Sequence, residues 1–204
     1  MRFLIFLILF FLIEIACKAQ DTIWFLSGER LITSNYTLKT EDGMLTYLKG
    51  KKEKKVGLEY VFSVHEKNGY EKVFYEPTSI ENTPFSVEQM RSFIKGEFEA
   101  SEHYKATGAT IIGVTAGIGG IYLFPILKAP VFWSPVLPTG TSAIIGSTNI
   151  CEKKIIKKFP QYTNDEYFIS GYSEIVKQKR ISHSIVGGVI GLAVGVASAL
   201  IIKP

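Results

Sequence analysis

Two long stretches in the second half of this chain carry no Asp, Glu, Lys or Arg, and both place small residues at helical spacing. Gly187, Gly191, Gly195 and Ala199 recur every fourth position within 185–202, and Gly113, Ala116, Gly117 and Gly120 make a similar stripe in 107–127. At about 1.5 Å of rise per residue, a helix of either length reaches across a hydrocarbon core of roughly 30 Å. Small residues on one face let two helix backbones approach closely, which is how helices associate where lipid removes the hydrophobic drive. The expectation is an α+β membrane protein with transmembrane helices at 107–127 and 183–202. Its glycine-rich, zipper-like faces then serve helix packing.

The front of the chain reads as a targeting segment. Arg2 opens it, Phe3 begins an apolar run to Ile13, and Cys17-Lys18-Ala19 ends in a small residue, the pattern of a signal peptide over 1–19. The run is short for a spanning anchor. Lipid attachment at Cys17 is a rival, because Ile15-Ala16-Cys17 fits the end of a lipobox, although Glu14 stands where Leu is wanted. Removal of 1–19 leaves Cys151 as the one cysteine, so no intramolecular disulfide staples the exported chain.

Charge is unevenly spread. Residues 20–105 hold 12 basic and 14 acidic groups, whereas 128–182 hold 8 basic and 4 acidic. Short basic loops mark the cytoplasmic side of a membrane. That predicts an exported domain, one crossing, a basic loop at 128–182 inside, and a second crossing back. Topology explains these lysines better than nucleic-acid binding does, and no nucleic-acid partner is expected.

Residues 20–85 predict a small exported domain built as an antiparallel β meander or barrel. Apolar 22–26 stops at Ser27-Gly28, and 30–39 alternates with Leu31, Thr33 and Asn35 on one face. Glu41-Asp42-Gly43 supplies a tight turn into 44–49. Lysine-rich 51–55 reads as a solvated hairpin tip. The run 56–65 alternates again with Leu58, Tyr60, Phe62 and Val64 together, and Asn68-Gly69 turns it into 70–76. Five strands are expected.

Beyond Pro84 the period changes. Ser86 with Gln89 three residues on reads as a capping box opening an amphipathic helix over 86–106. Val87, Met90, Phe93, Ile94 and Phe98 line its apolar side, which is expected to lie on the β unit or the membrane surface. Residues 129–151 are uncharged, but Pro130, Pro135 and Pro138 break the first half, so only 139–150 is expected to be helical. With Phe132 and Trp133 at headgroup level, that stretch reads as interfacial or re-entrant. The long second helix is expected to start within 171–180.

Chemistry is thin. His65, His103 and His183 lack partners at metal-ligand spacing; Glu99 and His103 lie one helical turn apart, but a site needs three or four groups. There is no phosphate-cradling Gly-Lys-Ser/Thr loop and no Gly-x-Ser-x-Gly elbow. Glu97, Glu99 and Glu102 read as a wet helix face with no partner base. No catalytic, cofactor-binding or metal residue is assigned, no cofactor is expected, and the uncharged spans lack the groups of an ion relay.

Asp21 to Leu26, Ser27-Gly28-Glu29, the alternating Arg30 to Lys39, and Val61-Phe62-Ser63-Val64 ahead of Asn68-Gly69 form one set of short motifs; Ile94, Gly96, Glu97 and Ala100, and Gly171-Tyr172 before Lys177, Lys179 and Arg180, form another. Together they resemble those of an uncharacterised family of Gram-negative envelope proteins. The resemblance implies a bacterial cell-envelope location and no known activity. More loosely, residues 21–76 resemble Sm-like or SH3-like small barrels, which implies shape alone. The functional expectation is a non-enzymatic envelope protein that tethers a β binding or spacing domain through glycine-packed helices. Its partners are the lipid bilayer and either a second copy or another envelope protein. A glycine-lined oligomeric pore or secretion accessory is the rival.

Overall fold

A computed structural model of the chain describes residues 20–33, 36–39, 42–77 and 85–202, in two compact units, Met1–Val87 and Glu88–Pro204. The expected signal over 1–19 with Cys17, and Ser34, Asn35, Glu41 and Pro84, lie outside the described residues.

The first unit is antiparallel β, in two small sheets rather than one five-stranded meander. Its strands are β1 (Asp21–Phe25), β2 (Arg30–Thr33), β3 (Tyr36–Lys39), β4 (Met44–Lys49), β5 (Lys52–Gly57), β6 (Val61–His65) and β7 (Glu71–Val73). The sheet orders are β2-β1-β6-β7 and β3-β4-β5. Asp42-Gly43 and Asn68-Gly69 turn the chain as expected, with Gly43 at φ 61° and Gly69 at φ 86°, a region that suits glycine. Leu58–Tyr60 is a 3-10 turn, which corrects the single strand expected over 56–65. The turn sends β5 and β6 into different sheets, so Tyr60 is 62% exposed while Phe62 and Val64 are buried. Lysine-rich 51–55 also differs from expectation: Lys52–Lys55 pair with β4, and the turn is at Gly50. They form an exposed edge, where charge discourages pairing with another chain. Ile23, Phe25, Leu45, Val61 and Val64 make the core, and Tyr36, Leu38, Tyr47 and Val56 of the three-stranded sheet pack onto it.

The second unit is helical: α1 (Val87–His103), α2 (Thr107–Ile126), α3 (Val136–Ser147), α4 (Glu152–Lys158) and α5 (Glu166–Ile202). Two of these, α2 and α5, are long and apolar enough to cross a membrane. The 37 residues of α5 span roughly 55 Å. It starts earlier than expected because Asp165 accepts the Phe168 N–H at 3.0 Å, an N-cap bond ahead of the apolar period.

Residue numbers rise together along the α1–α2 track and α5. Gly96 meets Phe168 and Tyr172, Gly113 meets Ser184 and Gly188, and Tyr122 meets Ser198. The two long helices are therefore parallel. The connection between them has to come back, and it does: Ser134 lies on Gly120, Pro138 on Gly188, Ser142 beside Ser184 and Gly146 on Ile181. A crossing back at 183–202 would run antiparallel to α2, whereas α5 runs parallel to it; 129–151, expected as interfacial or re-entrant, returns along the height of the pair, and 152–182 continue as α4 and the first half of α5. Pro135 stands at the α3 N-cap and Pro138 in its first turn, where a missing N–H is harmless, so these prolines start the helix instead of breaking it.

Candidate functional site: the helix crossings

The small-residue faces are spent within the chain. A side-chain carbon at Gly113 would collide with the Ser184 carbonyl, at Gly117 with that of Gly188, and at Gly191 with that of Val114. At Gly120 it would stand 2.6 Å from the Ser134 carbonyl oxygen, and at Gly195 2.9 Å from Ile121 Cγ1. Gly187 faces the Thr110 carbonyl in the same way. Ala116 and Ala199 are only half-buried, at the margins of the contact. Ala109, Ser184 and Gly188 complete the buried track, and only their spacing could have revealed them, Ala109 four residues before Gly113 and Ser184 four before Gly188.

Polar pairs fix the crossing at two heights, one at the adjacent His183 and Ser184 and one at Ser198. Thr110 Oγ1 lies 3.3 Å from His183 Nδ1, Ser142 Oγ donates to Ser184 Oγ at 3.0 Å, and Tyr122 Oη lies 2.7 Å from Ser198 Oγ. Such bonds between helices in lipid contribute about 0.6 kcal/mol each.

The inside of this bundle is small and its outside is large. Ile111, Leu123, Ile144, Ile185, Val189 and Leu200 are exposed while the glycines are buried, the reverse of a helical core in water. The first half of α5 follows the opposite rule. There Phe168, Tyr172 and Val176 are buried with Ala100 and Ile155, and Tyr162 stacks on Phe168 with centroids 3.8 Å apart. One helix thus changes from a water-type to a lipid-type pattern near residue 180.

The change falls where α1 ends. Lys179 Nζ donates to the carbonyls of Ala100 (3.3 Å), Ser101 and Tyr104 (3.1 Å), and Lys158 Nζ to that of His103 at 3.5 Å. These ammonium groups cap the end of α1, where carbonyls run short of helical N–H donors, although the Ala100 carbonyl also accepts the Tyr104 N–H at 3.1 Å. Arg180 Nε donates to the Tyr104 hydroxyl at 2.8 Å. Lys179 and Arg180, read in the sequence as motif residues, are structural ties between α5 and α1.

Glu97 departs most from expectation. It was expected on a wet face with Glu99 and Glu102, yet it is 7% exposed and Oε2 has no hydrogen-bond partner among the described residues. Burial first, then the Glu174 carboxylate, push its carboxyl up to about 7. The expected contact surface of α1 also rotates: Ile94, Gly96, Glu97 and Ala100 are buried, and Gly96 and Gly171 bring α1 against α5. The signal was Gly96 and Ala100 four apart. Glu99 and His103 do meet, with Oε2 and Nδ1 3.0 Å apart on the surface. Among the described residues no three His, Cys, Asp or Glu groups gather to hold a metal.

No protein-family model matches this chain, and no curated protein or solved structure matches it.

Proposed function

We propose that this chain is a non-enzymatic membrane protein of the cell envelope that anchors a small β domain through a glycine-packed helical bundle. The observation that carries the reading is the inverted packing of α2, α3 and the second half of α5, with small residues inside and large apolar ones outside. Water would expose that surface at a cost of roughly 25 cal/mol per Å², whereas lipid accepts it. The parallel spans and the returning α3 imply three traverses. The polar half of the helical unit then lies on one side of the bilayer, and chain connectivity through α1 leads the β unit to that side. Export of that side rests on the signal-like 1–19 and the envelope-like motifs. The rival pore reading loses support because the glycine faces that would line it are filled by the chain's own helices.

Cysteine accessibility in sealed vesicles tests the reading. Ser101→Cys, native Cys151 and Gln178→Cys should react from the same side, and Lys128→Cys from the other. Reaction of Lys128→Cys and Gln178→Cys from one side would sink the three-traverse scheme. Release of the protein by alkaline carbonate would sink the membrane reading itself.

A further inference from the structure

A groove of about 280 Å³ opens where α2, α3 and α5 leave the polar half of the helical unit. Its floor is Gly108, Ala109, Ile112 and Ile145, and its rim is Tyr104, Thr148 and Arg180. An apolar lining of this kind suits a hydrocarbon chain. The rim is built around one cation. Arg180 is positioned by its Nε bond to the Tyr104 hydroxyl and by that ring, 5.7 Å from the guanidinium carbon. Its two terminal amino groups make no hydrogen bond to any described residue. They form a fork matching two oxygens of a phosphate.

Further positive charge surrounds the level. Lys105 follows Tyr104 and is exposed, and Lys158 lies against His103. The acidic groups at this height are exposed Glu102 and half-buried Glu99, the latter facing His103. Apolar floor, cationic rim and position at the start of the uncharged helices converge on one ligand class.

We propose that this groove is a binding site for an anionic phospholipid, with its phosphate on Arg180 and one acyl chain over Gly108, Ala109, Ile112 and Ile145. The proposal rests on the membrane reading above. The bound lipid completes the α2–α3–α5 junction where α1 ends, and it selects for membranes rich in acidic headgroups.

The test uses full-length protein in mild detergent, titrated with phosphatidylglycerol or phosphatidylcholine and read by native mass spectrometry. Phosphatidylglycerol should bind in preference, and Arg180→Gln should weaken it by about tenfold, the scale of a charge-assisted hydrogen bond. Gly108→Leu provides a variant that leaves Arg180 in place; its side chain enters open space at the groove floor and should reduce binding as much. Lys154→Gln should leave it unchanged. Undiminished phosphatidylglycerol binding in Gly108→Leu overturns the proposal, whether or not Arg180→Gln folds. Equal binding of phosphatidylcholine overturns the anionic selection, and equal protection of Arg180 by inorganic phosphate alone assigns the rim to a soluble anion. A protein that resists carbonate extraction but shows none of the preference fails here alone, while one that is extracted fails at the membrane reading.

Discussion

Glu97 is a residue whose surroundings contradict its chemistry. Its ordinary carboxyl value is 4.5, and burial beside Glu174 raises it to about 7 in the folded protein. Between those values the folded state holds a proton that the unfolded chain has released. Stability from this group is therefore fully present below 4.5, falls as pH rises through the window, and is flat above about 7. Glu97→Gln keeps the shape and removes the titration, so thermal melts from pH 4 to 8 should lose this slope relative to wild type. Identical slopes would mean that the carboxylate is solvated after all. Gly191 supports a second prediction. Gly191→Ile drives a side chain into the Val114 carbonyl, whereas Val194→Ile enlarges a side chain already facing out. The first should destabilise by about 1–3 kcal/mol or separate the helices, and the second should be near neutral. Equal effects in a crosslinking assay between α2 and α5 would remove any special role for the stripe.

At the level of elements, the sequence was most legible where one residue type admits one geometry. Asp42-Gly43 and Asn68-Gly69 gave their turns directly, and the Gly113–Gly117–Gly120 and Gly187–Gly191–Gly195 stripes gave the buried faces. A stripe, however, states which face is covered and not by what, nor in which direction the partner runs. The parallel pairing of α2 with α5 therefore stayed hidden, and with it the role of α3, whose prolines read as breakers until Pro135 and Pro138 proved to stand at its start. Glu97 was missed because a glutamate among Lys95, Glu99 and Glu102 looks like part of a charged face, while the close approach at Gly96 that buries it is made by a distant segment. Lys179 was visible only as a basic residue of the motif after Gly171-Tyr172, with no sign of the carbonyls it meets. Its three carbonyl partners make Lys179→Met expensive: the end of α1 should loosen by about 2 kcal/mol, seen as faster amide exchange over 100–104. Lys177→Met, on the same helix and without such partners, should leave exchange there unchanged.

For the whole molecule, the decisive property is that one helix carries two kinds of interior. Above residue 180, counting from its start, α5 buries Phe168, Tyr172 and Val176; beyond it, α5 buries Ser184 and glycines and turns Ile185, Val189 and Val194 outward. Aqueous solvent stabilises the first pattern and lipid the second, so on the membrane reading proposed above the bilayer boundary falls near residue 180 on α5, residue 105 on the α1–α2 track and residue 148 after α3. The segments on the polar side include α4 with exposed Lys153, Lys154, Lys157 and Lys158, whereas the described residues at the opposite end offer trypsin only Lys128. Lys128 sits in a tight turn at φ 56°, with its N–H bonded to the Pro125 carbonyl. Limited trypsin treatment of sealed vesicles with the polar side outward should cut at α4, and a second cut at exposed Lys105 should release the N-terminal unit. Apolar fragments containing α2–α3 and the second half of α5 should survive. Vesicles of the reverse orientation should yield intact protein or a single slow cut at Lys128. Rapid cleavage at α4 from both faces of intact vesicles would place the basic segment on both sides, and the one-sided anchor would have to be abandoned.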